Sequence, residues 1–126
     1  MKQGWEVKKL GEVCEKIFAG GDKPKQFSKF STKIFSIPIY ANGEKNKGLY
    51  GYTDIAKISK PSITISGRGT IGYSEIRTEP FVPIVRLITL LPNDNININF
   101  LHYGIKNIDF LNSGSSIPQL TIPMVK

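Results

Sequence analysis

The sequence predicts an α+β fold, a mixed and mainly antiparallel twisted sheet with a short helix near the N-terminus and another near the C-terminus. Three observations predict it. Apolar residues recur at helical spacing only towards the two ends, and β-branched and aromatic runs punctuated by Gly, Pro and Asn-Gly fill the middle. A chain of 126 residues is also long enough for one hydrophobic core and too short for two, so residues 1–126 read as a single domain.

The elements follow in order. After Trp5 and Val7, the segment Leu10 to Phe18 places Leu10, Val13, Cys14 and Ile17 at i, i+3, i+4 and i+7, which predicts a short amphipathic helix. Gly20, Gly21 and Pro24 break that pattern, and Ala19 to Ser31 reads as a basic surface loop carrying Lys23, Lys25 and Lys29. Ile34 to Tyr40 is β-branched and aromatic and runs into Asn42-Gly43, so a strand ending in a tight turn is expected. Lys45 to Asp54 holds too many glycines to be assigned as a strand. Ser62 to Ser66 and Ile71 to Arg77 flank a glycine turn as a hairpin, and Phe81 to Leu91 predicts a central strand beginning after Pro83, with Arg86 on its less buried side. Asn99 to Asn112 puts Leu101, Ile105, Ile108 and Leu111 on one helical stripe, with Asn97 or Asn99 as N-cap and Gly114 as the stop. Gly104 weakens that helix by about 1 kcal/mol.

Composition narrows the function. With 40% hydrophobic and 21% charged residues, the chain is neither disordered nor collagen-like. No apolar run approaches the roughly 18 to 20 residues that cross a bilayer, and Met1 to Leu10 lacks the apolar stretch of a signal peptide, so a cytoplasmic protein is expected. Cys14, alone in the sequence, has no disulfide partner and reads as a small buried apolar residue. Seventeen basic against ten acidic side chains give a net charge of +7, the balance of a polyanion binder. Of this, +6 falls in residues 1–60, which places any phosphate-facing surface in the first half; lysine-rich loops that only confer solubility are the alternative.

Two segments carry recognition chemistry. Lys45 to Asp54 mixes Lys45, Lys47, Tyr50, Tyr52 and Thr53, where ammonium groups suit phosphates and tyrosines offer a flat face with a hydroxyl. The competing reading makes one tyrosine core and leaves the rest decorating a loop. Gly67-Arg68-Gly69-Thr70-Ile71-Gly72 matches G-x-G-x-x-G. A dinucleotide site needs a helix to start at those glycines, whereas a β-like run follows, and a kinase loop needs lysine and aspartate motifs that the chain lacks. The glycines instead shape a tight turn presenting Arg68, able to fork onto guanine O6 and N7 or to clamp a phosphate, or simply to be solvated. Catalysis and metal binding find no support: His102, the only histidine, has no partner at a recognisable spacing, and the acids are scattered singly.

The ordered set of signals is more specific than any one of them. It comprises the opening Trp5 to Val13, the Ile37 to Gly43 segment (Ile-Pro-Ile-Tyr-Ala-Asn-Gly), the Ile65 to Tyr73 segment around Arg68, Asn99 to Tyr103, and the tail Ser113 to Pro123. From Trp5 to the end the chain resembles the target-recognition domain of type I restriction-modification specificity subunits. The resemblance implies a non-catalytic module for sequence-specific binding of double-stranded DNA. It would direct modification (methyltransferase) and restriction subunits that use S-adenosylmethionine, ATP and magnesium, with no cofactor in this chain. It also implies DNA contacts in the Gly67 to Thr70 turn, with Arg68 and Thr70, and in the region from Tyr40 through Asn42 to Thr53. Lys23, Lys25, Lys45 and Lys47 are phosphate candidates from charge, and Ser115, Ser116 and Gln119 either touch DNA or frame the exit of the chain. Subunits of this family carry two such domains separated by long helices, and the chain stops where the first of those helices is expected. A sequence-tolerant single-strand binder and a fragment that competes for protein partners are the alternatives.

Overall fold

The computed structural model describes residues 5–67, 71–108, 110 and 117–125. It is an α+β domain built from three sheets among those residues. The chain opens with β1 (Trp5–Lys9), a single helical turn α1 (Leu10–Val13) and β2 (Cys14–Ala19). The helix expected from Leu10 to Phe18 is thus confined to four residues. Leu10, Val13 and Cys14 do point inward, but from Cys14 onward the backbone finds its partners across a sheet rather than up a helix. The short turn is held from within and from outside: the Lys9 N–H donates to Glu12 Oε1 at 2.9 Å, and the Leu10 N–H donates to the Leu120 carbonyl at 2.8 Å.

The middle of the chain supplies β3 (Ile37–Tyr40), a 3-10 turn (Lys45–Gly48), β4 (Leu49–Thr53), β5 (Ser62–Ile65), β6 (Ser74–Arg77), β7 (Val82–Pro83) and β8 (Ile88–Pro92). The hairpin of β5 and β6 forms as expected, with Ile63 opposite Ile76. It belongs to a four-stranded antiparallel sheet ordered β2-β8-β5-β6. The apolar run Phe81 to Leu91 is not one strand. It turns a corner at the exposed Val85 and Arg86, where the Leu87 N–H donates to the Ile84 carbonyl, so that β7 and β8 lie in different sheets. Both arms are buried, which is why the run reads as continuous. Gly20 packs against that corner, where a Cβ would lie 2.6 Å from the Ile84 carbonyl oxygen.

α2 (Ile98–Lys106) is capped by Asn97, whose Oδ1 accepts from the Phe100 N–H at 3.0 Å. It buries Leu101 and Ile105 in the main core with Ile63, Ile65, Leu90 and Ile122. Gly104 lies on the face of α2 that meets β9, where a Cβ would sit 3.4 Å from the Ile122 side chain, an ordinary contact distance, so nothing in the packing demands glycine there. The helix ends at Lys106, short of the expected Asn112; Leu111, Asn112 and Gly114 lie outside the described residues. β9 (Thr121–Val125) returns to pair antiparallel with β1, so strands rather than helices close the domain.

The three-stranded sheet, ordered β4-β3-β7, has antiparallel and parallel pairs. Gly21 bridges to Ile84 beyond β7, and Ser28 bridges to Tyr52 beyond β4. Residues 21–28 therefore cross from one edge of this sheet to the other. Four inter-strand gaps amount to roughly 19 Å and seven extended residues reach roughly 23 Å, so seven residues suffice for this crossing strap. Phe27 packs with Ile37 and Ala41 against Ile39, Val82 and Ile84, which fixes the face that the strap covers.

Candidate nucleic-acid interface

Two turns far apart in sequence form one corner. Asn42 Oδ1 accepts from the Gly67 N–H at 2.9 Å, and the Gly43 N–H donates to Ser66 Oγ at 2.7 Å. The glycine turn is closed below by Gly72 N–H to the Ser66 carbonyl and Ser66 N–H to the Tyr73 carbonyl, a strand-turn-strand with no helix behind it. That geometry agrees with rejecting a dinucleotide loop. Arg68 and Thr70, the residues expected to reach DNA from this turn, lie outside the described residues.

The facing loop is compact. Ala41 N–H donates to the Gly48 carbonyl and Lys47 N–H to the Glu44 carbonyl, while Asn46 and Lys47 adopt left-handed φ angles of 52° and 56°. Gly48 has φ of 83° and a Cβ there would lie 2.6 Å from the Ala41 carbonyl oxygen, so only glycine fits. Lys45 and Lys47 are exposed on this loop. Beneath it lies Arg77, 5% exposed, its Nε donating to Thr64 Oγ1 at 3.0 Å and its Nη2 to the Lys47 carbonyl at 2.6 Å. The guanidinium stacks 3.7 Å from the Tyr40 ring centroid. Burial lowers its pKa, an effect opposed by Tyr40 and Glu75.

The strap supplies the second half of the surface. Lys23 Nζ lies 5.0 Å from the Phe27 ring centroid and 5.8 Å from that of Tyr50, and donates to Tyr50 Oη at 3.3 Å. Phe27 and Tyr50 are themselves 5.5 Å apart. A cleft of about 480 Å³ beside them is lined by Phe27, Lys29, Asn46, Leu49 and Tyr50, joining the strap to the 3-10 turn. Lys25 is exposed on the strap and Tyr52 is half-buried in β4.

The candidate residues therefore separate by role. Lys23, Lys25, Lys45, Lys47 and Tyr50 are exposed on the strap, the 3-10 turn and β4. Asn42, Tyr40 and Thr53 hold the scaffold: Asn42 braces Gly67, Tyr40 lies between Arg77 and Phe81, and the Thr53 hydroxyl donates to the Gln26 carbonyl at 2.8 Å from a site 2% exposed. Ser115 and Ser116 lie outside the described residues, and Gln119 ends the 3-10 turn Ile117–Gln119. Phe27, Ser66 and Arg77 were not singled out from sequence. A phenylalanine in a lysine-rich loop was the available signal for the first; nothing local marks the other two.

His102 lies 3.1 Å from Ser74 Oγ, a pairing of distant residues that spacing does not reveal. The adjoining polar cleft of about 340 Å³ includes Glu44, Tyr73, Glu75 and Lys106. The Tyr73 hydroxyl donates to Glu75, and burial followed by this bond pushes its pKa up to about 12. Among the described residues no cluster of His, Cys, Asp or Glu is placed to hold a metal ion, and no helix is long and apolar enough to cross a membrane.

Comparison with known proteins agrees with this architecture. Two Mycoplasma pneumoniae proteins described as type I specificity subunits, S.MpnORF507P and S.MpnORF89P, are 39% and 36% identical to it over 98% and 94% of this chain. The chain spans 35% of the length of each. The crystal structure of a type I restriction-modification S subunit from M. genitalium superposes with a TM-score of 0.81 at 19% identity, over 98% of this chain and 35% of that one. The HsdS subunit from Thermoanaerobacter tengcongensis gives a TM-score of 0.68 at 18% identity, over 99% and 34%. The family model for the type I restriction modification DNA specificity domain matches residues 2–126, and the chain belongs to that family.

Proposed function

We propose that this domain reads a short sequence in double-stranded DNA as the specificity module of a type I restriction-modification complex, and performs no chemistry itself. The observation that carries this reading is the cross-braced corner, in which Asn42 and Ser66 join the glycine turn to the lysine-bearing loop. Bracing at Ser66 and Gly67, where the turn leaves β5, suits base readout, because bidentate contacts tolerate little misplacement. The strap lysines beside it suit phosphates, which orient a protein on the duplex without reading sequence. Family membership and the net charge of +7 support the same conclusion. In this reading the domain acts in the cytoplasm and directs partner subunits, a methyltransferase using S-adenosylmethionine and a nuclease using ATP and magnesium.

Selection from a randomised duplex pool at low salt tests it, with Arg68→Ala run in parallel. A short enriched motif, relaxed at one position by the substitution, is the expected outcome. The exposed Tyr50 ring beside Lys23 gives a sequence-tolerant single-strand binder a concrete basis, and tighter binding to single strands than to duplex would favour it instead. Capture of a methyltransferase subunit without any DNA affinity would replace both with a protein-interaction role.

A further inference from the structure

Arg77 is a buried cation whose hydrogen-bond partners are neutral. Its Nε meets Thr64 Oγ1 and its Nη2 meets the carbonyl of Lys47, while its flat face covers Tyr40. These partners come from different parts of the fold: Thr64 from the four-stranded sheet, Tyr40 from the three-stranded sheet, and Lys47 from the loop that carries two of the exposed lysines. A solvated loop does not need a buried guanidinium, and enclosing one is costly unless its donors are satisfied. The bond to Lys47 falls on a residue in the left-handed region, a conformation that a non-glycine residue keeps only when its surroundings hold it. The same loop is bonded to Ser66 and Gly67. One side chain on β6 is thereby connected, through a single loop, to both turns of the corner.

We propose that Arg77 is a positioning residue for sequence discrimination, setting the loop from Asn42 to Gly48 against the glycine turn without touching DNA. This rests on the DNA-reading function proposed above. The fork geometry is essential: a lysine at this position keeps the charge and the stem but cannot serve Thr64, Lys47 and the Tyr40 face together. Discrimination should therefore depend on arginine, whereas attraction to phosphates should not.

The test compares the wild-type chain with Arg77→Lys and Thr64→Val, a near-isosteric change that removes the Nε acceptor. Melting curves are recorded first. Binding of the duplex motif selected by the wild type is then measured against a scrambled duplex of equal length over a range of salt concentrations. The expected result is a ratio of selected to scrambled affinity that falls about tenfold or more in Arg77→Lys, in the range of one lost bidentate base contact, and by a smaller factor in Thr64→Val. The salt dependence of scrambled binding stays at the wild-type value, since no phosphate contact is lost. A purely structural role would lower both affinities together with the melting temperature, and would overturn the proposal. So would a folded Arg77→Lys with wild-type discrimination; should that variant fail to fold, an unchanged ratio in Thr64→Val does the same. If the wild type selects no motif at all, the DNA-reading function itself fails, a result distinct from a motif that survives Arg77→Lys.

Discussion

Thr89 lies in β8 with its hydroxyl enclosed and no hydrogen-bond partner among the described residues. A buried hydroxyl without a partner costs stability, and valine has nearly the same shape. Thr89→Val is expected to leave unfolding free energy unchanged or raise it by about 1 kcal/mol, measured by urea denaturation. A clear loss would mean that the hydroxyl has a partner after all. Cys14 makes a second prediction at this scale. Burial pushes its thiol pKa up from 9.0 to about 11, so between those values the folded chain holds a proton that the unfolded chain has released. Its contribution is fully present below pH 9 and lost as pH rises through 11. Unfolding free energy should decline from pH 9 to 11, and Cys14→Ala should flatten that part of the profile; parallel profiles for the two proteins would count against it. Tyr73, raised from 10.0 to about 12, extends the decline further into alkali in both.

Elements were legible in proportion to how locally they are determined. The β5-β6 hairpin and the Asn97 cap of α2 follow from turn chemistry and side-chain periodicity within a few residues, and both are present. The expected first helix failed because Leu10, Val13 and Cys14 satisfy an inward-facing pattern in a helical turn followed by a strand as well as in a continuous helix. The run from Phe81 to Leu91 predicts a strand beginning after Pro83, whereas β8 begins at Ile88, because burial on both arms of the corner hides the break at Val85 and Arg86. The loop before β4 depends on Gly48, whose φ of 83° and contact with the Ala41 carbonyl exclude a side chain. Gly48→Ala should destabilise the domain by about 1 to 3 kcal/mol and weaken recognition, seen in a lower melting temperature and a reduced affinity for the selected duplex.

At the scale of the whole molecule, the basic loop from Gly21 to Ser28 is a strap tied at both ends to the edges of the three-stranded sheet, with Phe27 inside and Lys23 outside. If Lys23 neutralises a phosphate, Lys23→Ala should reduce the slope of log affinity against log salt by about 0.9, equally for every duplex sequence. An unchanged slope would remove Lys23 from the interface. By itself the sequence determined the α+β class, the basic first half, the glycine turn as a strand connection and the resemblance to the family, because each depends on composition, period or short motifs along the chain. Only the tertiary structure decided which residues share a surface. Asn42 meets Gly67, Arg77 meets Lys47 and Ser74 meets His102 across separations of 25, 30 and 28 residues, set by strand register and the corner between sheets. Strand pairing across loops of this length is fixed by the packing of the whole core, and no local pattern encodes it.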